Sequence, residues 1–270
     1  MEEQVVRNEL LGSVASQEAH AAPCIPFRIA PTAEIALVSS TPAQAAQKLS
    51  LLVANANATS TATKVAFLNM HNYVTVTHDE NALHAFMDMD YVYPDGVALQ
   101  IARRITRRGR FRRVSGTDTV PLLLAMLPPG ARVYLLGGTP SLSTRLNRRF
   151  LRIFPHLKLA GCHHGFFANS EDSRVIADIN AAAPHVLLVG MGTPRQETWI
   201  SSNHHDLRTP LAVCVGGLFH YWAGDLRRAP AIVRSIGLEW LWIMIHQPYK
   251  WRIYSIGTLR FVLRILYLYY

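Results

Sequence analysis

Short, nearly continuous apolar runs punctuate the chain: VAFLN (65–69), DYVYP (90–94), ARVYLLGG (131–138), LKLAG (157–161), HVLLVGMG (185–192) and LAVCVGG (211–217). Runs of this length, most of them closed by glycine or proline, read as strands. Their lack of alternation predicts burial on both faces, as in a parallel sheet. Helical periodicity fills the windows 97–108, 118–127, 141–153, 171–182 and 195–204 between them. The last four strands start about 25 residues apart, which suits βαβ crossovers. The pattern predicts an α/β, Rossmann-like, mostly parallel sheet flanked by helices. Thr41-Pro42 reads as an N-cap followed by proline at the first helical position, opening a helix to about Val53.

The two ends differ from this middle. Residues 1–28 show no sustained periodicity and read as a loose N-terminal extension, leaving 29–225 as the core. Residues 226–270 concentrate Trp240, Trp242 and Trp251 and carry no strand–turn punctuation. Within them Leu259, Val262, Leu263, Leu266, Tyr267 and Tyr270 form an i, i+3, i+4, i+7 stripe beside Arg260 and Arg264. Aromatic, apolar and basic residues together describe a helical appendage that lies in a membrane interface; the plainer alternative is a helix pair packed on the core.

Composition narrows the class. In 270 residues, 50% are hydrophobic and 17% charged, which excludes a disordered tail protein and a small disulfide scaffold. No stretch approaches 18 uncharged apolar residues, so a spanning helix is not expected, and the acidic MEEQVVRNEL start is unlike a signal peptide. Three dispersed cysteines lack metal-ligand spacing and fit a reduced, cytoplasmic protein. The net charge of +9 is localised: Ile101–Arg113 holds seven arginines and no acid, and Leu226–Tyr270 adds a further +6, leaving −4 for the rest. Two basic zones on a mildly acidic body point to a localised anion, with phosphate the obvious group.

Candidate chemistry gathers at the predicted strand ends. Asp95 follows DYVYP, where it serves either as a helix N-cap or as a general base at the ligand-binding edge of an open sheet. Gly137-Gly138, the Gly190–Glu197 segment with Gly192, Arg195 and Gln196, and Gly216-Gly217 each end a strand. Backbone donors at such turns hold a diphosphate, although neither the dinucleotide fingerprint nor the P-loop spacing is present. Asp88-Met89-Asp90 imitates a metal-binding D-x-D but precedes its strand and is read as coincidence; the paired histidines 163–164 and 204–205 read as loop or surface residues.

Taken in order, YPDGVALQIARR, RVSGTD, VYLLGGTP, GCHHGFF, INAAAPHVLLVGMGTPRQETWI, VGGLFHYWAGDLRRAP and GLEWLW resemble the WecG/TagA/CpsF family, glycosyltransferase family 26, from about Ile35 to Gln247. The resemblance implies an inverting enzyme, working without a bound metal. It would move a sugar from a UDP-sugar to a sugar on undecaprenyl diphosphate in cell-surface polysaccharide synthesis, peripheral to the cytoplasmic face of the inner membrane. Asp95 matches the family's proposed base. Asn69, Arg113 and Gln196 match pocket positions, and Gly138 and the Gly192 turn lie near the nucleotide. The appendage's Arg227, Arg228, Lys250, Arg252, Arg260 and Arg264 would meet lipid diphosphate or anionic head groups.

Two positions depart from the family pattern. Its T-x-N reads Phe67-Leu68-Asn69, and its F-D reads Phe219-His220, so the donor (N-acetylmannosamine, glucose or a related hexose) stays open, as does oligomeric state. Two competing readings are a nucleic-acid-binding protein using the Arg103–Arg113 cluster and a nucleotide-dependent oxidoreductase. The first is weakened because the cluster sits directly after the P-D-G turn, the second by the absent fingerprint.

Overall fold

A computed structural model describes residues 22–56, 61–107, 110–235, 237–247 and 251–270. Eight strands form one sheet: β1 (Cys24–Ala30), β2 (Ala33–Val38), β3 (Thr63–Leu68), β4 (Tyr91–Pro94), β5 (Arg132–Gly137), β6 (Lys158–His163), β7 (Val186–Gly190) and β8 (Leu211–Cys214). Their order is β1-β2-β4-β3-β8-β7-β5-β6. Only the β1–β2 pair is antiparallel, and β2 joins β4 in parallel. The predicted α/β class and mostly parallel sheet are therefore what the chain forms.

The unbroken apolar runs divide by side-chain alternation. In β3, Ala66 and Leu68 face one core while Val65 and Phe67 face the other; in β7, Leu187 and Val189 are set against Val186 and Leu188 in the same way. Helices α1 (Pro42–Ala54), α5 (Gly116–Met126), α6 (Pro140–Ile153) and α9 (Leu218–Ala223) cover the second face. Thr41 caps α1 with a reciprocal bond from Gln44, as its sequence predicts. The first face is covered by α2 (Met70–Val76), α3 (Glu80–Met87), α4 (Val97–Ile105), α7 (Asp172–Ala182) and α8 (Arg195–Asn203). After these come α10 (Ala231–Ser235), α11 (Glu239–His246) and α12 (Trp251–Tyr269).

The N-terminal end departs from expectation. Cys24–Arg28, read as loose, belong to edge strand β1; Pro26 breaks the pattern that would have announced it, and an edge is where a sheet tolerates proline. The far end of the chain is packed on that edge. Phe261 and Ile265 of α12 are buried in one core with Phe27, Ile29 and Tyr73, Phe261 edge-on to Tyr73 at 5.0 Å, and Leu268 is buried as well. The Arg28 N–H donates to the Tyr269 hydroxyl at 3.0 Å. The predicted stripe (Leu259, Val262, Leu263, Leu266, Tyr267 and Tyr270) is the opposite, exposed face of the helix. Among the described residues, no helix is long and apolar enough to cross a membrane.

Candidate active site

Because β2 through β8 are parallel, their C-terminal ends share one edge of the sheet. Along it lie Ser39 after β2, Asp95 after β4, Asn69 after β3, Gly216 beyond β8, Gly190 closing β7 and Gly137 closing β5. At one strand spacing of ~4.8 Å, Asp95 stands about 10 Å from the β8 turn, with Asn69 between. The sequence-predicted candidates thus converge on one side of the sheet. Asp88 and Asp90 sit at the opposite end of β4, engaged by Lys64 and, for Asp88, also by the Ser201 hydroxyl.

Asp95 is held by its own backbone, whose N–H donates to Leu68 O at 2.8 Å. It does not cap α4. The N-cap is Gly96, at φ 92, a left-handed conformation suited to glycine, and no side chain caps the helix. The carboxyl is therefore free of capping duty. Burial pushes it up to about 6; the neighbouring Arg113 guanidinium opposes the rise, Glu239 reinforces it, a hydrogen bond from Ser115 opposes it and Asp118 adds to it. Asn69 lies one strand over and accepts from Asn72 N at 3.0 Å, so its oxygen caps α2.

Charges around Asp95 are interleaved. Arg228 approaches Asp118 at 2.7 Å and Glu239 at 3.5 Å, Arg234 approaches Asp118 at 3.0 Å, and Arg113 approaches Glu239 at 3.7 Å. A cleft of about 340 Å³ opens beside this network, with Arg113, Arg234, Val97 and Gly237 in its wall. Such a wall leaves guanidinium donors next to a carboxyl poised near neutrality, a combination that suits proton removal beside a phosphate-bearing ligand. Arg228, expected to meet head groups, is instead committed to the carboxylates beside Asp95. Ser115, Asp118, Arg234 and Glu239 were not singled out from sequence, although RVSGTD and GLEWLW contain three of them; only folding brings these segments to β4.

The glycine turns separate into two kinds. A Cβ on Gly137 would strike the Gly190 backbone, one on Gly138 would strike Leu142, and the Gly138 N–H is spent on Gly190 O at 3.2 Å. These two residues let β5 and β7 approach and do not form the open cradle expected of them. Gly192, Gly216 and Gly217 face open space. Gln196 sits beneath that opening, 3% exposed, its Oε1 accepting from Gly216 N at 3.0 Å and its Nε2 donating to Glu197 at 2.7 Å. Glu197 is fully buried, and burial raises its carboxyl to about 7 against hydrogen bonds from Gln196, its own backbone and Thr193.

The remaining candidates are dispersed. Arg195 donates to Phe167 O at 2.7 Å, clamping the loop after β6. His220, which stands where the family's F-D has its aspartate, faces the Asp225 carboxylate at 3.2 Å, and Asp225 also holds Arg145. Arg227 and Arg260 are exposed, whereas Arg264 donates to Ile29 O at 3.4 Å. Lys250 lies outside the described residues, as does the side chain of Arg252. The arginine cluster forms no continuous helical face: α4 ends at Ile105, Arg103 is buried against Pro26 O, Arg113 turns to Glu239, and Arg108 is outside the described residues.

The sequence matches the Glycosyl transferase WecG/TagA/CpsF family over residues 33–269. The chain belongs to that family. Two Bacillus proteins named N-acetylglucosaminyldiphosphoundecaprenol N-acetyl-beta-D-mannosaminyltransferase are similar to it. That of Bacillus spizizenii strain W23 is 29% identical over 165 residues, covering 60% of this chain and 63% of that protein. That of Bacillus subtilis strain 168 is 26% identical over 190 residues, covering 66% and 73%. The match thus spans a little under two thirds of the first relative's length. Membership places the WecG/TagA/CpsF motifs on this structure: P-D-G at the β4 edge, G-x-P-R-Q-E beneath the open glycine turns, and the R-x-x-G-x-D and E-W segments around Asp95.

Proposed function

We propose that the protein is an inverting glycosyltransferase. It moves a hexosyl or N-acetylhexosaminyl group from a UDP-sugar to a sugar carried on undecaprenyl diphosphate, in the synthesis of a cell-surface polysaccharide. The observation that carries this reading is the placement of Asp95, a carboxyl lifted toward neutrality on the same sheet edge as the open Gly192 and Gly216-Gly217 turns. Both Bacillus relatives act, by their names, on a diphosphoundecaprenol-linked N-acetylglucosamine, which supports a lipid-linked acceptor.

In this reaction the acceptor hydroxyl oxygen attacks the anomeric carbon from the face opposite the UDP. The bond from that carbon to the β-phosphate oxygen breaks as the new glycosidic bond forms, and the hydroxyl proton passes to Asp95. A hydroxyl is a poor nucleophile unless its proton is accepted during attack, so a base with a carboxyl near 6 is matched to neutral pH. The departing UDP gains negative charge, which backbone donors at the open turns and the Arg113 guanidinium stabilise. Gln196 fixes the shape of the β8 turn through Gly216 and is itself fixed by Glu197.

The exposed apolar face of α12, with Arg227 and Arg260, supports peripheral attachment at the cytoplasmic membrane surface, where a lipid-linked acceptor resides. The test is incubation with a panel of UDP-sugars and a short-chain lipid-diphosphate-sugar acceptor. UDP release that requires acceptor, with a product heavier by one sugar, is expected from one donor. Release without acceptor, or no release with any donor, rejects the reading.

A further inference from the structure

The same sheet edge carries a second basic cavity that the reaction above does not use. It lies past β2, on the side of Asp95 away from the open glycine turns, and measures about 440 Å³. Arg104, Arg110 and Arg112 line it together with Ser39, Ser40 and Gln44. All three arginines are exposed, and none of the described residues in its wall is acidic.

Local structure explains why these arginines converge. Exposure alternates along Arg110, Phe111 and Arg112; Phe111 is buried against Phe27, and its carbonyl accepts from Gln100 Nε2 at 3.1 Å. The bond ties this segment to α4, whose Arg104 reaches the same cavity. Arg113, the next residue, turns instead toward Glu239. The opposite wall is the N-terminus of the 13-residue helix α1, the positive end of its dipole.

Ser40 supplies an independent observation. It is only 5% exposed and lines the cavity, yet its hydroxyl oxygen has no hydrogen-bond partner. A buried hydroxyl without a partner is rare in folded proteins. Turned into the cavity, beside the three arginines and the helix N-terminus, this hydroxyl would donate to an oxyanion.

We propose that this cavity is a second anion site that takes a phosphate group, bound by Arg104, Arg110 and Arg112 with the Ser40 hydroxyl; it adjoins the cleft beside Asp95, with which it shares Gln100 and Arg104, and lies apart from the open glycine turns. The ligand class is a phosphate mono- or diester, whose source is either a soluble phosphate or the head group of an anionic lipid. The inference does not depend on Asp95 being a base.

The test is calorimetric titration of the full chain at constant ionic strength with inorganic phosphate and, separately, with dihexanoyl phosphatidylglycerol below its micellar concentration, each with and without saturating UDP. Saturable binding that survives UDP is expected. Binding of phosphate alone assigns the site to soluble phosphate, and competitive binding of the short-chain lipid assigns it to a head group. The Arg110→Gln/Arg112→Gln variant should lose at least about tenfold in affinity, because two charge-assisted contacts go. Ser40→Ala should lose several-fold with no change in melting temperature. Arg148→Gln/Arg152→Gln removes equal charge from exposed positions on α6 and should bind normally. Absence of saturable binding to either probe overturns the proposal. So does loss of binding in UDP, unchanged affinity in the Arg110/Arg112 variant, or equal loss in the Arg148/Arg152 variant.

Discussion

Replacing Asp95 with asparagine separates the chemical from the structural consequences of its surroundings. The side chain keeps its size, and its backbone bond to Leu68 O is untouched. What goes is the ability to take a proton, which general-base catalysis values at ~10²–10⁴ in turnover, with donor binding little changed. In the wild type, a carboxyl at about 6 predicts an acid limb in kcat/KM: about half the limiting value at pH 6 and roughly a tenth at pH 5. The limb should vanish in the variant's residual activity. Glu239→Gln should move it to lower pH, because a like charge is removed, and Arg113→Gln to higher pH.

Stability provides a second reading of the same shift. The folded carboxyl binds its proton more tightly than the unfolded one, so the stabilisation is complete below pH 3.8 and is lost as pH rises to about 6. Above that the wild type carries a partly buried charge that asparagine lacks. The variant should therefore gain on the wild type between pH 4 and 7, by a ceiling of roughly 3 kcal/mol that residual solvent contact reduces. Acceptor-dependent UDP release and chemical denaturation, each across pH 4.5–8, are the assays. Near-normal turnover in Asp95→Asn removes Asp95 as base, and a stability difference flat with pH refutes the electrostatic account.

Other perturbations test the supporting structure. Glu197→Gln preserves an acceptor for Gln196 and Thr193 and should keep most activity, whereas Glu197→Leu frees Gln196 and should raise donor KM; steady-state kinetics compare them. Gly137→Ala forces a methyl into the Gly190 backbone at a positive φ and should destabilise by about 2 kcal/mol or more, while Gly217→Ala, facing open space, should leave the melting temperature unchanged. Leu263→Glu/Leu266→Glu alters only the outer face of α12 and should abolish partitioning into anionic liposomes with the fold intact by circular dichroism. Truncating the helix is a poorer test, because it also strips Phe261 and Ile265 from the core.

The inner strands β3, β4, β5, β7 and β8 were legible because doubly buried strands must be largely apolar, a signal carried within a few residues. The β1–β2 hairpin was not: Pro26 and the Pro31-Thr32 turn obscure a short edge whose partner packing comes from α12. Asp95 was legible as a residue at a strand end, though not its freedom from capping, which depends on Gly96 adopting φ 92. Ser115, Asp118 and Glu239 escaped for a different reason. Each is unremarkable in its own segment, and the carboxylate–guanidinium network exists only once residues up to 144 positions apart in sequence are brought together around Asp95.

The stitch between Arg28 and Tyr269 joins residues 241 positions apart. On a ribosome, the hairpin edge must therefore wait, its apolar side uncovered, while nearly all the intervening chain is made. Phe27 and Tyr73 gain their lid only when α12 arrives, and that same helix presents the greasy outer surface. Closing the edge and offering an adhesive face are one event, so a half-made polypeptide gains neither.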